Sequence, residues 1–482
     1  MKITIRHICL IGLVCGCTVI LARAADDTVL ARVEMTATVP TSGLAVHELL
    51  QDAKGQDYAL VLAPVAALRA SGCAFQVLAM HAVPHEFVIA RTRRPATHAQ
   101  FAQLPECVYD DGRHVILRGT AALMARRADY DAILRPLPQT PLRWDAPPRA
   151  ARRAADFTCV SNAAVAAMIS QVDADRIWWL TAQLSGETNL VVGTNTYSLY
   201  SRNTRHGAPY QKDAAFIFQT MTNLQYQTRY FSWSEGGYTS SNVIATKAGT
   251  TRANEIVLLI AHLDNMPSSG RAPGADDNAS GCVALLLAAE QFIPQVFERT
   301  LHLVFATGEE QGLYGSAAYA AAMTAQSVNI VAVYNFDMIS WTSLASPAFG
   351  VHTRVTSHPQ FPEDLALAQL YTNVMATYGL ASAASRIVAD GETASDHSSF
   401  WDVGYPAVLT IEDDTDFNPY YHTANDRLQY CNMAYYTTIV KGAVGTAAHA
   451  AQLVPEPGSL LYAALMCMLW RLRAVTHAHL PR

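Results

Sequence analysis

EIVLLIAH, residues 255–262, is the stretch on which the fold turns. Its apolar side chains follow one another without alternation, as in a strand that is buried on both faces of a sheet. LHLVFAT (301–307), NIVAVYNFD (329–337) and YPAVLTI (405–411) read the same way. Helix-like stretches lie between them, ASGCVALLLAAEQF after the first run and YGSAAYAAAM after the second. YTSSNVIAT (238–246) reads as an edge strand leading in. Strands and helices in alternation predict an α/β fold, a mixed and mostly parallel central sheet sandwiched by helices.

In open α/β sheets functional groups gather at the carboxyl ends of the strands. Here His262 and Asp264 follow the first run, Glu309 and Glu310 the second, Asp337 closes the third and Glu412 follows the fourth. So many carboxylates in one crevice repel one another unless a counter-charge is present, which points to a multivalent cation. Imidazole beside carboxylate suits zinc, and cobalt or manganese also fit that ligand type.

Six motifs carry the chemistry: AHLDN (261–265), PGADDNASG (273–281), TGEEQGLYGS (307–316), NFDM (335–338), SDHSSF (395–400) and YYHTANDR (420–427). In this order and spacing, across about residues 160 to 450, the chain resembles the secreted leucyl aminopeptidase branch of the di-zinc peptidases. Relatives of that family include glutamate carboxypeptidase II, glutaminyl cyclase and the transferrin receptor. The resemblance implies two zinc ions per chain, one held by His262 and Asp337, the other by Glu310 and His422, with Asp277 bridging them. Asp276 is the rival for the bridge, and His397 the spare ligand should His422 not serve. Asp264 is implied to accept from the far ring nitrogen of His262, Glu309 to be the general base for a zinc-bridged hydroxide, and Tyr421 to steady the oxyanion. The implied activity is removal of N-terminal residues, apolar ones foremost, from peptides. The alternatives are a carboxypeptidase or a single-zinc glutaminyl cyclase of the same fold, or a binding domain without metal. ETASDH (392–397) departs from the family, with neither the local cysteine pair of one branch nor the Arg just before SDH of another.

Working outward, residues 25–146 carry none of the clustered acids and histidines and read as a smaller α+β accessory or pro-domain. WDAPPRAARRAAD (144–156) is rich in Pro and Arg and supplies an exposed linker over 147–156. The catalytic domain is expected over 157–452. Residues 1–24 combine Lys2 and Arg6, an apolar run and Ala22-Arg23-Ala24, the pattern of a cleavable export signal. At the other end Pro455-Glu456-Pro457, an apolar stretch to Trp470, and Arg471 with Arg473 resemble the PEP-CTERM sorting signal of Gram-negative bacteria. That resemblance implies transient membrane attachment and exosortase processing of the 453–482 tail, with the protein in the periplasm, the cell envelope or outside the cell. No repeat of solenoid or propeller period is visible. A net charge of -6 without a basic run argues against nucleic acid as a partner. Of nine cysteines, Cys73 and Cys107 flank one segment and form the expected disulfide.

Overall fold

A computed structural model describes residues 28–35, 44–92, 95–125, 132–142, 157–206 and 212–454. The export signal, the 147–156 linker and the Pro-Glu-Pro tail lie outside the described residues. The chain divides into two compact units, Met1–Pro147 with Arg354–Phe361, and Pro148–Thr353 with Pro362–Arg482. The expected catalytic domain ran unbroken over 157–452, whereas residues 354–361 fold with the first unit.

The first unit holds two four-stranded antiparallel sheets of identical strand order. One comprises β1 (Thr28–Glu34), β2 (Ala45–Gln51), β3 (Asp57–Pro64) and β4 (Phe75–Ala79), in the order β2-β3-β1-β4. The other comprises β5 (Phe87–Arg91), β6 (Cys107–Asp110), β7 (His114–Arg118) and β8 (Ile133–Pro136), in the order β6-β7-β5-β8. In both, a short helix joins the third strand to the fourth. This is an internal repeat of topology that the sequence does not display. Leu30, Leu60 and Tyr58 of the first sheet pack with Phe87, Ile89 and Ile116 of the second. Val355 joins Val29, Val61 and Leu68 in a further cluster, and Ser357 Oγ donates to Asp57 at 3.0 Å. The expected disulfide is not formed. Cys73 precedes β4 and Cys107 opens β6 on the other sheet, and both are free thiols.

The second unit opens with the helices Ala163–Ser170 and Ala174–Leu184, continues into a hairpin, β9 (Leu190–Val192) and β10 (Asn195–Tyr197), and is built on an eight-stranded sheet. Its strands are β11 (Gln227–Glu235), β12 (Tyr238–Lys247), β13 (Arg252–His262), β14 (Arg299–Ala306), β15 (Asn329–Phe336), β16 (Ala348–His352), β17 (Ala384–Val388) and β18 (Ala407–Glu412). They are ordered β11-β12-β14-β13-β15-β18-β16-β17, and the central run β14-β13-β15-β18 is parallel throughout. The strand expected at the edge, β12, is internal, because β11 pairs along its whole length and covers it.

The unbroken apolar runs have a simple cause. Val257, Leu259 and Ala261 of β13 face one cluster, with Val283 and Leu287 of the helix Gly281–Phe292 and Val440 and Val444 of the helix Met433–Ala450. Ile256, Leu258 and Ile260 face the other, with Tyr319 and Phe400. Each fully buried Leu or Ile contributes about 1.5–3 kcal/mol, so both faces must be apolar. Gly281 lets its helix approach the sheet, since a Cβ there would stand 2.2 Å from the Phe336 carbonyl oxygen. Among the described residues no helix is long and apolar enough to cross a membrane.

Candidate metal centre

The parallel register brings the first ligand candidates together. Ile260 of β13 pairs with Asn335 of β15, and two residues beyond each stand His262 and Asp337. Asp277 lies in the turn before the helix Gly281–Phe292, Glu309 and Glu310 in the turn after β14, and His422 in the loop after β18. His422 sits in the left-handed region, φ 57°.

Two donor trios result, and Asp277 belongs to both. His262 Nε2 is 3.2 Å from Asp277 Oδ1 and 3.2 Å from Asp337 Oδ1. His422 Nε2 is 3.2 Å from Asp277 Oδ2 and 2.9 Å from Glu310 Oε2. Two ligand atoms on one tetrahedral zinc, each at about 2.0–2.2 Å, stand roughly 3.3–3.6 Å apart, so these separations are close to what a shared ion requires. His262 Nδ1 faces the Asp264 carbonyl oxygen at 3.1 Å. That contact puts a ring proton on Nδ1 and turns Nε2 toward two carboxylate oxygens, where a cation would take the place of the second ring proton. The residues present therefore fit a pair of zinc ions. Glu309 joins His262 and Glu310 in a third grouping of donor atoms within 4.8 Å of one another.

Asp264 does sit beside His262, but its carboxylate is turned elsewhere. Oδ1 accepts from the Glu309 amide at 3.3 Å and Oδ2 from the Glu310 amide at 3.2 Å, while Nδ1 of His262 is 3.8 Å from Oδ1. The backbone carbonyl, nearer to the ring, takes the role expected of the side chain. Asp276, the rival bridge, is buried facing away. Its Oδ1 accepts from the Ser340 amide at 2.8 Å and hydroxyl at 2.7 Å, and its Oδ2 from Asn418 Nδ2 at 2.9 Å. His397 is committed too, with Nε2 2.7 Å from the Glu392 carbonyl oxygen and its ring edge-on to Trp401. It enters neither trio. Tyr421 stacks on His422 with ring centroids 3.6 Å apart and packs among Met338, Leu409, Ile411 and Phe417. His302 and His449 stand by Tyr319 and Tyr378 hydroxyls, at 3.0 and 2.9 Å, in structural roles.

Electrostatics follow from burial and crowding. Burial, joined by the charges of Glu310, Asp337 and Asp396, holds the Glu309 carboxyl well above its ordinary range, against the pull of His262. Burial and Asp277 push Glu310 up to about 7. Burial also acts to raise Asp277, but hydrogen bonds from His262 and His422 outweigh it and hold that carboxyl low. Burial opposes the His262 imidazolium, and Asp337 and Glu309 overcome it, so His262 lies well above its usual value. Burial puts Asp396 at about 7.

Three supporting residues escape a reading by residue type. Ser395 Oγ donates to Asp337 Oδ2 at 2.7 Å, and the serine lies inside the SDHSSF motif. Asp426 accepts from the amides of Asp276 and Asp277 at 3.0 and 2.9 Å, and it lies inside YYHTANDR. Arg202, buried, donates to the carbonyl oxygens of Leu263, Pro273 and Gly274 at 2.8, 2.8 and 2.9 Å, and to that of Leu184. The motifs held the signal for the first two; an isolated arginine outside any motif gave none.

Residues 242–446 match the family described as Peptidase family M28. A probable leucine aminopeptidase of Trichophyton verrucosum is 30% identical over 218 residues, covering 42% of this chain and 55% of the relative. The chain thus spans about half the length of the curated relatives it matches. The crystal structure of the Legionella pneumophila LapA aminopeptidase shares the fold, with a TM-score of 0.58 and 21% identity over 77% of this chain and 99% of that one. A glutaminyl cyclase of Macrostomum lignano shares it at a TM-score of 0.50 and 20% identity, over 62% and 98%.

Proposed function

We propose that this chain is a zinc-dependent aminopeptidase that removes N-terminal residues from peptides. The observation that carries the reading is Asp277, whose two oxygens face two separate histidine–carboxylate pairs. Similarity to Peptidase family M28 and to a probable leucine aminopeptidase supports hydrolysis at the amino end. Similarity to that probable leucine aminopeptidase favours an apolar first residue.

Zinc, when bound, supplies a polarised scissile carbonyl and a water whose pKa falls from 15.7 toward about 7. The chain's own residues do the rest. His262, Asp277 and Asp337 would hold one ion and Asp277, Glu310 and His422 the other. Glu309, buried beside His262 and Glu310, takes the proton of the attacking water and returns it to the leaving amine. Tyr421 steadies both the His422 ring and the oxyanion. A single-zinc cyclase has no use for the second complete donor set. Export through residues 1–24 and sorting through the 453–482 tail belong to the same proposal and rest on the sequence.

Purified protein should hydrolyse leucine anilide, lose that activity to a chelator and regain it with zinc. It should leave N-acetyl-leucine anilide intact. Release of C-terminal residues would make it a carboxypeptidase instead, and cyclisation of N-terminal glutamine a cyclase.

A further inference from the structure

The turn that carries Asp277 is gripped from two sides. Arg202 takes its carbonyls, through Pro273 and Gly274. Asp426 takes its amides: the Ala275 amide donates to the Asp426 backbone oxygen at 3.1 Å, the Asp276 amide to Oδ1 at 3.0 Å and the Asp277 amide to Oδ2 at 2.9 Å. Three successive N–H groups thus converge on one residue, which is 2% exposed. Gly274 makes the turn possible, at φ 53°, because a Cβ there would stand 2.3 Å from the Asp277 carbonyl oxygen and 2.7 Å from Asn265 Cβ.

Asp426 lies four residues after His422 in the same loop. We infer that Asp426 is a positioning residue, tying the turn of Asp277 to the loop of His422 and so setting the affinity of the second donor set for its metal. Asp277 and His422 are two of that set's three ligands, whereas the first set has only Asp277 on the tied turn and draws His262 and Asp337 from adjacent strands. Both carboxylate oxygens are needed as acceptors. An asparagine offers one acceptor and turns an NH2 toward the other amide, so at least one bond is lost and a donor faces a donor.

The inference rests on the two-metal reading, and the test separates the two. Metal-free wild type and Asp426→Asn are titrated with zinc against a competing chelator, and the melting temperature of each metal-free protein is measured beside it. The weaker zinc of the variant should bind about 10- to 100-fold less tightly, the size of effect that groups orienting ligands exert. The tighter zinc should move less than about threefold, and kcat should recover as zinc is raised into the new binding range. Asp426→Glu, which keeps two acceptors on a longer stem, should recover part of the lost affinity, and it carries the test should the asparagine variant not fold. Equal weakening of both zincs, or none while wild type binds two, overturns the role of Asp426. Wild type that binds no zinc overturns the two-metal reading itself.

Discussion

The two donor trios share Asp277 yet are built from different material. The first stands on strands, with His262 ending β13 and Asp337 following β15, at a spacing set by the ladder between them. The second is made of turns and loops alone, Glu310 after β14, Asp277 before a helix and His422 in a loop at positive φ. A pair of adjacent parallel strands needs little help to keep two side chains in place. Loops need ties, and the structure supplies them: Asp264 to the Glu309 and Glu310 amides, Asp426 to the Asp276 and Asp277 amides, and Arg427 to Glu187 through two contacts of 2.8 Å. The lesson is that the second metal should be the easier one to lose.

The sharpest way to break this comparison is Asp277→Asn, which removes the charge both trios share. Both zinc affinities should fall by at least about 10²-fold, more than outer groups alone command, as read by chelator competition. Full occupancy in that variant would deny Asp277 its place in either set. Glu309→Gln removes no member of either trio and should keep both metals while kcat falls by about 10²- to 10⁴-fold, the usual worth of a general base. Metal loss from that variant, measured by elemental analysis, would move Glu309 among the ligands.

His422→Ala should leave one zinc per chain, held by His262, Asp277 and Asp337, with affinity within about tenfold of the tighter wild-type site, because pairs of ligands on strands do not depend on the loop. Stopped-flow release into chelator should then lose its fast phase and keep its slow one. The reverse outcome would make the strand-built site the labile one.

The smallest effect belongs to Arg427→Gln. The Arg427–Glu187 pair is partly exposed, with 34% and 22% of the side chains accessible, so its loss should cost about 0.2–1 kcal/mol in thermal unfolding. Its pH dependence has a definite sign. A hydrogen bond from Arg427 holds the Glu187 carboxyl below its ordinary value of 4.5, so the contribution is full above that value and fades as pH falls through the lowered one. Wild type and variant should converge in acid.

Much of the second unit was legible because its physics is local. A parallel strand covered on both faces must be apolar throughout, and EIVLLIAH says so; acids and histidines at strand ends then mark the crevice. Less legible was whatever depends on where a side chain turns once the chain is folded. Asp264 and Asp276 are the right residue type in the right motif, yet one carboxylate serves amides and the other Ser340 and Asn418. The doubled sheet of the first unit was invisible because a shared strand order needs no shared residues, only matching strands and turns. The assignment of residues 354–361 to that unit was hidden for a similar reason, since Val355 carries no mark of the core it joins.

The most direct test of the central claim is a zinc titration of the metal-free protein, with leucine anilide turnover followed in the same samples. Two equivalents should bind at unequal affinity, with full turnover only when the weaker site fills. A single equivalent that restores full activity, or activity that persists without metal, would contradict it.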